Sequence, residues 1–201
     1  MSVTDAAARH DLTGLILAGG RATRLDGRDK GLIEIGGHAL VDYAIAALRP
    51  LTPRLLISAN RHRDAYASRG FTVLEDALAD HPGPLAGILT ALEQMQTRRL
   101  LVMPCDAPLA SPALFDRLVA AQDSQGGTAC LGRDAERLQP TFCLLQRELA
   151  ASLRRFLEAG ERKTQLWLQS QEPVIVDCSD HPEWFANINT PEDLRRIEAM
   201  L

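Results

Sequence analysis

Residues 17–30 read Leu17-Ala18-Gly19-Gly20-Arg21-Ala22-Thr23-Arg24-Leu25-Asp26-Gly27-Arg28-Asp29-Lys30, with three glycines and four cationic side chains in fourteen residues. Glycines let backbone N–H groups approach phosphate oxygens with no Cβ in the way, and lysine and arginine offset the charge that a polyphosphate brings. The spacing is not that of a P-loop, because Lys30 is followed by Gly31, nor that of GxGxxG, because Gly19 and Gly20 are adjacent. A solvated surface turn would use the same residue types, with glycines supplying only positive φ.

Two aspartates accompany this loop. Asp106 follows the apolar run Leu100-Leu101-Val102-Met103 after a Pro104-Cys105 turn. A carboxylate at the carboxyl end of a buried strand faces the crevice where ligands bind in open α/β sheets, and with substrate phosphates it suffices to recruit magnesium. Asp76 ends a second such run and should face the same crevice, although an aspartate in this place also serves to end a strand. The Pro82-Gly83-Pro84 turn then leads into Leu85-Ala86-Gly87, and a turn of this rigidity holds backbone groups in fixed positions, as recognition of a base requires.

The elements that must position these groups are legible as alternating short aliphatic runs and helix-period segments. Residues 13–17, 54–58, 71–74 and 100–103 are predicted strands, and 38–48, 62–69 and 85–96 the helices that cover them. Strand, loop and helix repeated in this order predict an α/β fold, a single-domain three-layer sandwich. Its Rossmann-like sheet should be mostly parallel, with helices on both faces and the loops after strands along one edge. The second half is less regular. Residues 128–131, 141–145 and Val174–Asp177 are predicted strands and 147–159 and 163–169 helices, so the sheet should be mixed there. Near the end, Thr190 caps a helix with Pro191 in its first position and Asp193 in its third.

A chain of 201 residues with 46% apolar and 24% charged side chains has what one globular domain needs, and residues 1–201 are taken as one domain with 1–11 a flexible start. The formal net charge of −4 lacks the basic excess of a general nucleic-acid or anionic-membrane surface, so an anionic substrate must be held locally. No stretch approaches the roughly 18 apolar residues of a membrane span, and the beginning lacks the features of a signal peptide. A cytoplasmic protein with no nucleic-acid and no membrane partner is expected. Cys105, Cys130, Cys143 and Cys178 stand too far apart for a zinc knuckle or redox pair and should be reduced, half-buried small hydrophobes; the five histidines show no ligand spacing.

The run LAGGxxxR, the glycine at Gly27 and the pair Asp29-Lys30 resemble the signature of the molybdenum cofactor guanylyltransferases, within the wider nucleotidyltransferase superfamily. The resemblance extends over nearly the whole chain, through Ala59-Asn60-Arg61, Glu75-Asp76, the segment from Pro82 to Gly87, Pro104-Cys105-Asp106 and Asn187-Ile188-Asn189-Thr190-Pro191. It implies transfer of GMP from GTP to the terminal phosphate of molybdopterin or molybdenum cofactor. Lys30, Arg24 and Asp106 would be catalytic, with Mg2+ on Asp106. Leu17, Ala18, Gly19, Gly20, Lys30, Ser58, Asp76, Gly83 and Asp106 would bind nucleotide, and Asn187 and Asn189 the pterin. Cofactor-insertion chaperones or molybdoenzymes would be the further partners. A cytidylyltransferase, a sugar-1-phosphate nucleotidyltransferase or a non-catalytic nucleotide-binding assembly partner are the alternatives. Two positions depart from the family pattern: Asp26 replaces the first glycine of RMGG, and Ser58 stands where asparagine is common.

Overall fold

The computed structural model describes residues 10–18, 21–22, 28–76 and 83–201, with Arg21, Ala22 and Arg28 as backbone alone. The strands are β1 (Leu12–Leu17), β2 (Arg21–Ala22), β3 (Arg28–Asp29), β4 (Glu34–Ile35), β5 (His38–Ala39), β6 (Leu55–Ser58), β7 (Thr72–Leu74), β8 (Arg99–Pro104), β9 (Ala129–Arg133), β10 (Leu138–Gln146) and β11 (Val174–Asp177). The α-helices are α1 (Leu40–Leu48), α2 (Arg63–Ala67), α3 (Pro84–Gln94), α4 (Pro112–Gln125), α5 (Ala150–Glu158), α6 (Thr164–Gln169) and α7 (Pro191–Glu198).

Seven of these strands form one sheet in the order β11-β9-β10-β8-β1-β6-β7. Every pairing in it is parallel except those of β10, which runs antiparallel to both β8 and β9. The sheet is therefore mixed and mostly parallel, as expected. Because side chains alternate along a strand, each strand feeds two cores. Ile16, Leu101, Met103, Cys130, Phe142 and Leu144 pack with α1, α2, α4, Trp184 and Phe185 on one face. On the other, Leu15, Leu100, Val102, Leu131, Cys143 and Leu145 pack with α3, α5 and α6. The three-layer sandwich is complete, and among the described residues no helix is long and apolar enough to cross a membrane.

Several elements differ from expectation for identifiable reasons. The helix predicted from residue 38 begins at Leu40, since His38 and Ala39 pair with Ile35 and Glu34 in a hairpin turned by Gly36 and Gly37, both at positive φ. The helix predicted over 62–69 is shorter, because His62 lies in the left-handed region at φ 48°. β10 reaches back to Leu138 past Pro140. The ladder with β9 shifts register between Gln139 and Cys143, so a residue without an N–H sits in a bulge where it costs no ladder bond. The whole of α4 was unexpected, although Ser111 caps it through the Ala113 N–H and Pro112 opens it.

All four cysteines are free and, rather than half-buried, fully buried. Residues 1–9 of the expected flexible start lie outside the described residues. Asp11 is fixed, accepting from the Arg98 N–H through Oδ1 at 2.9 Å and from the Arg99 N–H through its carbonyl at 3.2 Å.

Candidate functional site

Three parallel strands, β6, β1 and β8, end level with one another, as Leu17 pairs with Ser58 on one side and with Pro104 on the other. Backbone bonds carry the alignment one residue further. Ala18 N–H donates to the Ser58 carbonyl (2.9 Å), Cys105 N–H to Leu17 (3.1 Å) and Ala59 N–H to Leu74 of β7 (3.0 Å). The residues that follow these strands are thereby delivered to one edge of the sheet, the edge where doubly wound folds bind ligands.

On the β8 side stands Asp106. Its carboxylate Oδ2 is ion-paired with Lys30 Nζ, which arrives from a short 3-10 turn, Lys30–Leu32, directly after β3. Both side chains are only about one-eighth exposed, 12% and 13%. The same ammonium donates to Asn189 Oδ1 at 2.8 Å. Residues 187–189 reach this place because the Ile188 N–H donates to the Asp106 carbonyl (2.9 Å) and the Ile188 side chain is buried with Ile33, Ile35, Leu40 and Ile197. Two oxygens here are buried with no hydrogen-bond partner among the described residues, Asp106 Oδ1 and Asn187 Oδ1. Buried polar atoms are normally satisfied, so Asp106 Oδ1 is a candidate position for a ligand group.

On the β6 side, Asp76 is held by a polar cluster. Ser58 Oγ donates to its Oδ1 (3.2 Å), Asn60 Nδ2 donates to its Oδ2 (2.8 Å), and the Asp76 N–H donates back to Asn60 Oδ1 (3.0 Å). Helix α3 opens against this cluster, with Gly83 as its N-cap at φ 128°. Gly87, one turn in, lies so close that a Cβ built on it would be 2.3 Å from Ser58 Oγ and 2.9 Å from Ser58 Cβ. Ser58 thus fills the space between Gly87 and Asp76.

Lys30, Asp106 and Asn189 come together as one group, with Asn187 next to it in the chain through the Ile188 backbone, and Ser58, Asp76 and the start of α3 form a second, on either side of the end of β1. Ala18, between them, is fully buried, and Leu17 is partly buried against the second core. Gly19, Gly20, Arg24 and Asp26 lie outside the described residues. A third group was not anticipated: Tyr66 and His62 both bond the Asp29 carboxylate, next to Lys30. The only signal for it was Asp29 inside the Asp-Lys pair, since a tyrosine at helical spacing reads as core. Asn60, which fixes Asp76, was visible only through the family resemblance.

Among the described residues no three His, Cys, Asp or Glu side chains gather as a metal cluster. The described residues of this edge include the Lys30 ammonium, the half-satisfied carboxylate of Asp106 and the Asn189 amide on one side and the Asp76 cluster beside a helix start on the other, a set suited to holding phosphates and a hard cation.

Comparisons with known proteins identify the relatives of the chain. Residues 14–174 match the family described as MobA-like NTP transferase domain. A relative from Shewanella sp. (strain ANA-3), named molybdenum cofactor guanylyltransferase, is 43% identical over 185 residues, covering 92% of this chain and 94% of its own. One of the same name from Shewanella loihica is 40% identical over 183 residues, covering 91% and 93%. The crystal structure of molybdopterin-guanine dinucleotide biosynthesis protein A from Archaeoglobus fulgidus superposes with a TM-score of 0.79 over 94% of this chain and 97% of that one, at 23% identity, and so shares the fold. With its sheet order, its charged strand ends and these matches, the chain belongs to the MobA-like NTP transferase family of nucleotidyltransferases.

Proposed function

We propose that the protein transfers GMP from GTP to the terminal phosphate of molybdopterin or molybdenum cofactor, releasing pyrophosphate. The observation that carries this reading is the Lys30–Asp106–Asn189 group at the strand edge, with one oxygen of Asp106 buried and, among the described residues, unpartnered. Relatives about 40% identical over most of the chain bear the name of that activity.

In the reaction, an oxygen of the acceptor phosphate forms a bond to the α-phosphorus of GTP, and the bond from that phosphorus to the bridging oxygen of pyrophosphate breaks. A phosphate monoester is mostly ionised near neutral pH, its second pKa being about 6, so the acceptor needs no general base. The residues have two tasks, to hold two anions in line and to oppose the charge that develops between them. Lys30 is placed for the second. Its ammonium, now shared between Asp106 and Asn189, is free to turn to a phosphate oxygen once one arrives. Ser58 and Asn60 keep Asp76 oriented at the start of α3, where the nucleoside would lie, with Leu17, Ala18 and Gly83 around it. Asn187 and Asn189 would face the pterin.

The residues present fit a magnesium ion. Asp106 Oδ1 is a hard oxygen donor that is unsatisfied among the described residues, and one carboxylate completed by water and phosphate ligands is how such an ion is commonly held with its nucleotide. When bound, such an ion supplies charge neutralisation on the phosphates.

Pyrophosphate release from GTP and purified cofactor tests the reading. Wild-type protein should release it, with GTP preferred over CTP. Lys30→Ala and Asp106→Ala should each lose on the order of 2–4 kcal/mol of transition-state stabilisation, roughly 30- to 1,000-fold in rate. Undiminished turnover in either variant would remove the assignment.

A further inference from the structure

The Asp29 carboxylate is 5% exposed, a charge placed almost wholly in the interior. A buried carboxylate is costly unless its oxygens are bonded. Here both are: the Tyr66 hydroxyl donates to Oδ1, and His62 Nδ1 lies 3.0 Å from Oδ2. Tyr66 is itself fully buried. Burial first, and then the bond to Asp29, push its phenol well above the usual tyrosine range, so it is a donor at neutral pH.

Three further observations concern the same phenol. Its oxygen lies 3.5 Å from the Ala18 carbonyl, so one hydroxyl touches the residue where the chain leaves β1 and the residue where it returns in β3. Gly31, directly after Lys30, leaves the space the phenol occupies, since a Cβ there would be 2.5 Å from the Tyr66 oxygen and 3.1 Å from Cε1. His62 reaches Asp29 from a left-handed backbone (φ 48°), a conformation that residues other than glycine seldom adopt and that persists where the surroundings impose it. All of these contacts converge on the peptide that carries Lys30.

We propose that Tyr66, through Asp29, is a positioning residue for Lys30: it clasps the two ends of the glycine-rich segment and fixes the point from which the lysine reaches Asp106. His62 and Gly31 complete the clasp, one by satisfying the second carboxylate oxygen and the other by giving the phenol room. The proposal rests on the assignment of Lys30 to phosphate chemistry made above.

The test is Tyr66→Phe, which removes one oxygen and keeps the ring in the core, assayed for pyrophosphate release alone and combined with Lys30→Ala, with the thermal midpoint of each protein measured alongside. Tyr66→Phe should lower kcat roughly 10- to 100-fold, the effect expected of a small misplacement of a reacting group. In the Lys30→Ala background it should lower kcat no further, because its effect passes through the lysine. Asp29→Asn, which keeps an acceptor for the phenol, should retain more activity than Asp29→Ala. Wild-type turnover in Tyr66→Phe, or a loss that multiplies with that of Lys30→Ala, overturns the clasp while leaving the function of Lys30 intact. Wild-type turnover in Lys30→Ala instead overturns the parent assignment.

Discussion

At the scale of single residues, the closest steric fit described is that of Gly87 on Ser58. Alanine in a helix interior is ordinarily better than glycine by about 1 kcal/mol, and Gly87→Ala would gain that in an unobstructed helix. Here the added methyl meets both Oγ and Cβ of Ser58, so turning the hydroxyl aside cannot relieve it, and Asp76 stands behind at 3.3 Å. Gly87→Ala should therefore lose about 1–3 kcal/mol of stability and weaken GTP binding, and Ser58→Gly in the same chain should restore part of both. Denaturant melts and nucleotide titrations of the two variants decide the matter; a Gly87→Ala protein as stable as the parent would mean that α3 does not approach β6 this closely. The departure from family pattern at Ser58 has a physical counterpart in this contact, since a serine is small enough to lie under Gly87 and still donate to Asp76. Asp106 and Lys30 were legible in the sequence because one follows a buried aliphatic strand and the other a glycine-rich run, and the structure pairs them. Tyr66 and Asn60 were not, because their roles depend on partners 37 and 16 residues away.

At the scale of elements, α7 shows how a helix terminus serves the site. Thr190 Oγ1 accepts from the Asp193 N–H at 3.1 Å, and Asp193 Oδ2 accepts from the Thr190 N–H at 3.0 Å, a reciprocal capping box. Asp193 Oδ2 also accepts from the N–H of Asn189 at 3.0 Å, so the cap fixes the residue that bonds Lys30. Thr190→Ala should cost about 1 kcal/mol in a thermal or denaturant melt. Asp193→Ala should cost as much and also slow turnover, by releasing Asn189. Burial by itself raises the Asp193 carboxyl, but the donors from Asn189 and Thr190 outweigh it and hold the group below its ordinary value of 3.8. A carboxylate depressed in this way contributes its full stabilisation above the unfolded value and loses it as pH falls through the folded one. Acid unfolding of Asp193→Asn should accordingly show a shallower dependence on pH below about 4 than the parent, and an unchanged slope would remove Asp193 from the account. The cap at Thr190 was readable from three residue types in a row. Helix α4 carried a signal of the same kind, since Leu114, Phe115 and Leu118 recur at helical spacing behind the start Ser111-Pro112, and its absence from the expected elements has no physical reason in the fold.

At the scale of the whole molecule, one sheet with two cores was legible because β1, β6 and β8 are brief aliphatic runs separated by helix-period segments. The extent of β10 was hidden by Pro140, whose place in a bulge depends on its partner strand and not on its neighbours in sequence. A ligand that binds only the folded chain stabilises all of it. GTP with magnesium at about 100 times its dissociation constant should add about 2.7 kcal/mol, roughly 5–10 °C in melting temperature for a domain of this size, and CTP should add less. Scanning fluorimetry reads this directly, and a larger shift with CTP would reverse the choice of base. Residues 182–189 have two roles in this architecture: Trp184 and Phe185 complete the core beside α4, with Phe185 edge-on to Phe142 at 5.1 Å, and Ile188 and Asn189 bond Asp106 and Lys30 at the strand edge. Of everything gathered at that edge, these residues are synthesised last. A nascent chain that has made every strand of the sheet still lacks Asn189 as an acceptor for Lys30 and Trp184 and Phe185 in the core, so the surroundings of the lysine and the closing of that core are completed together.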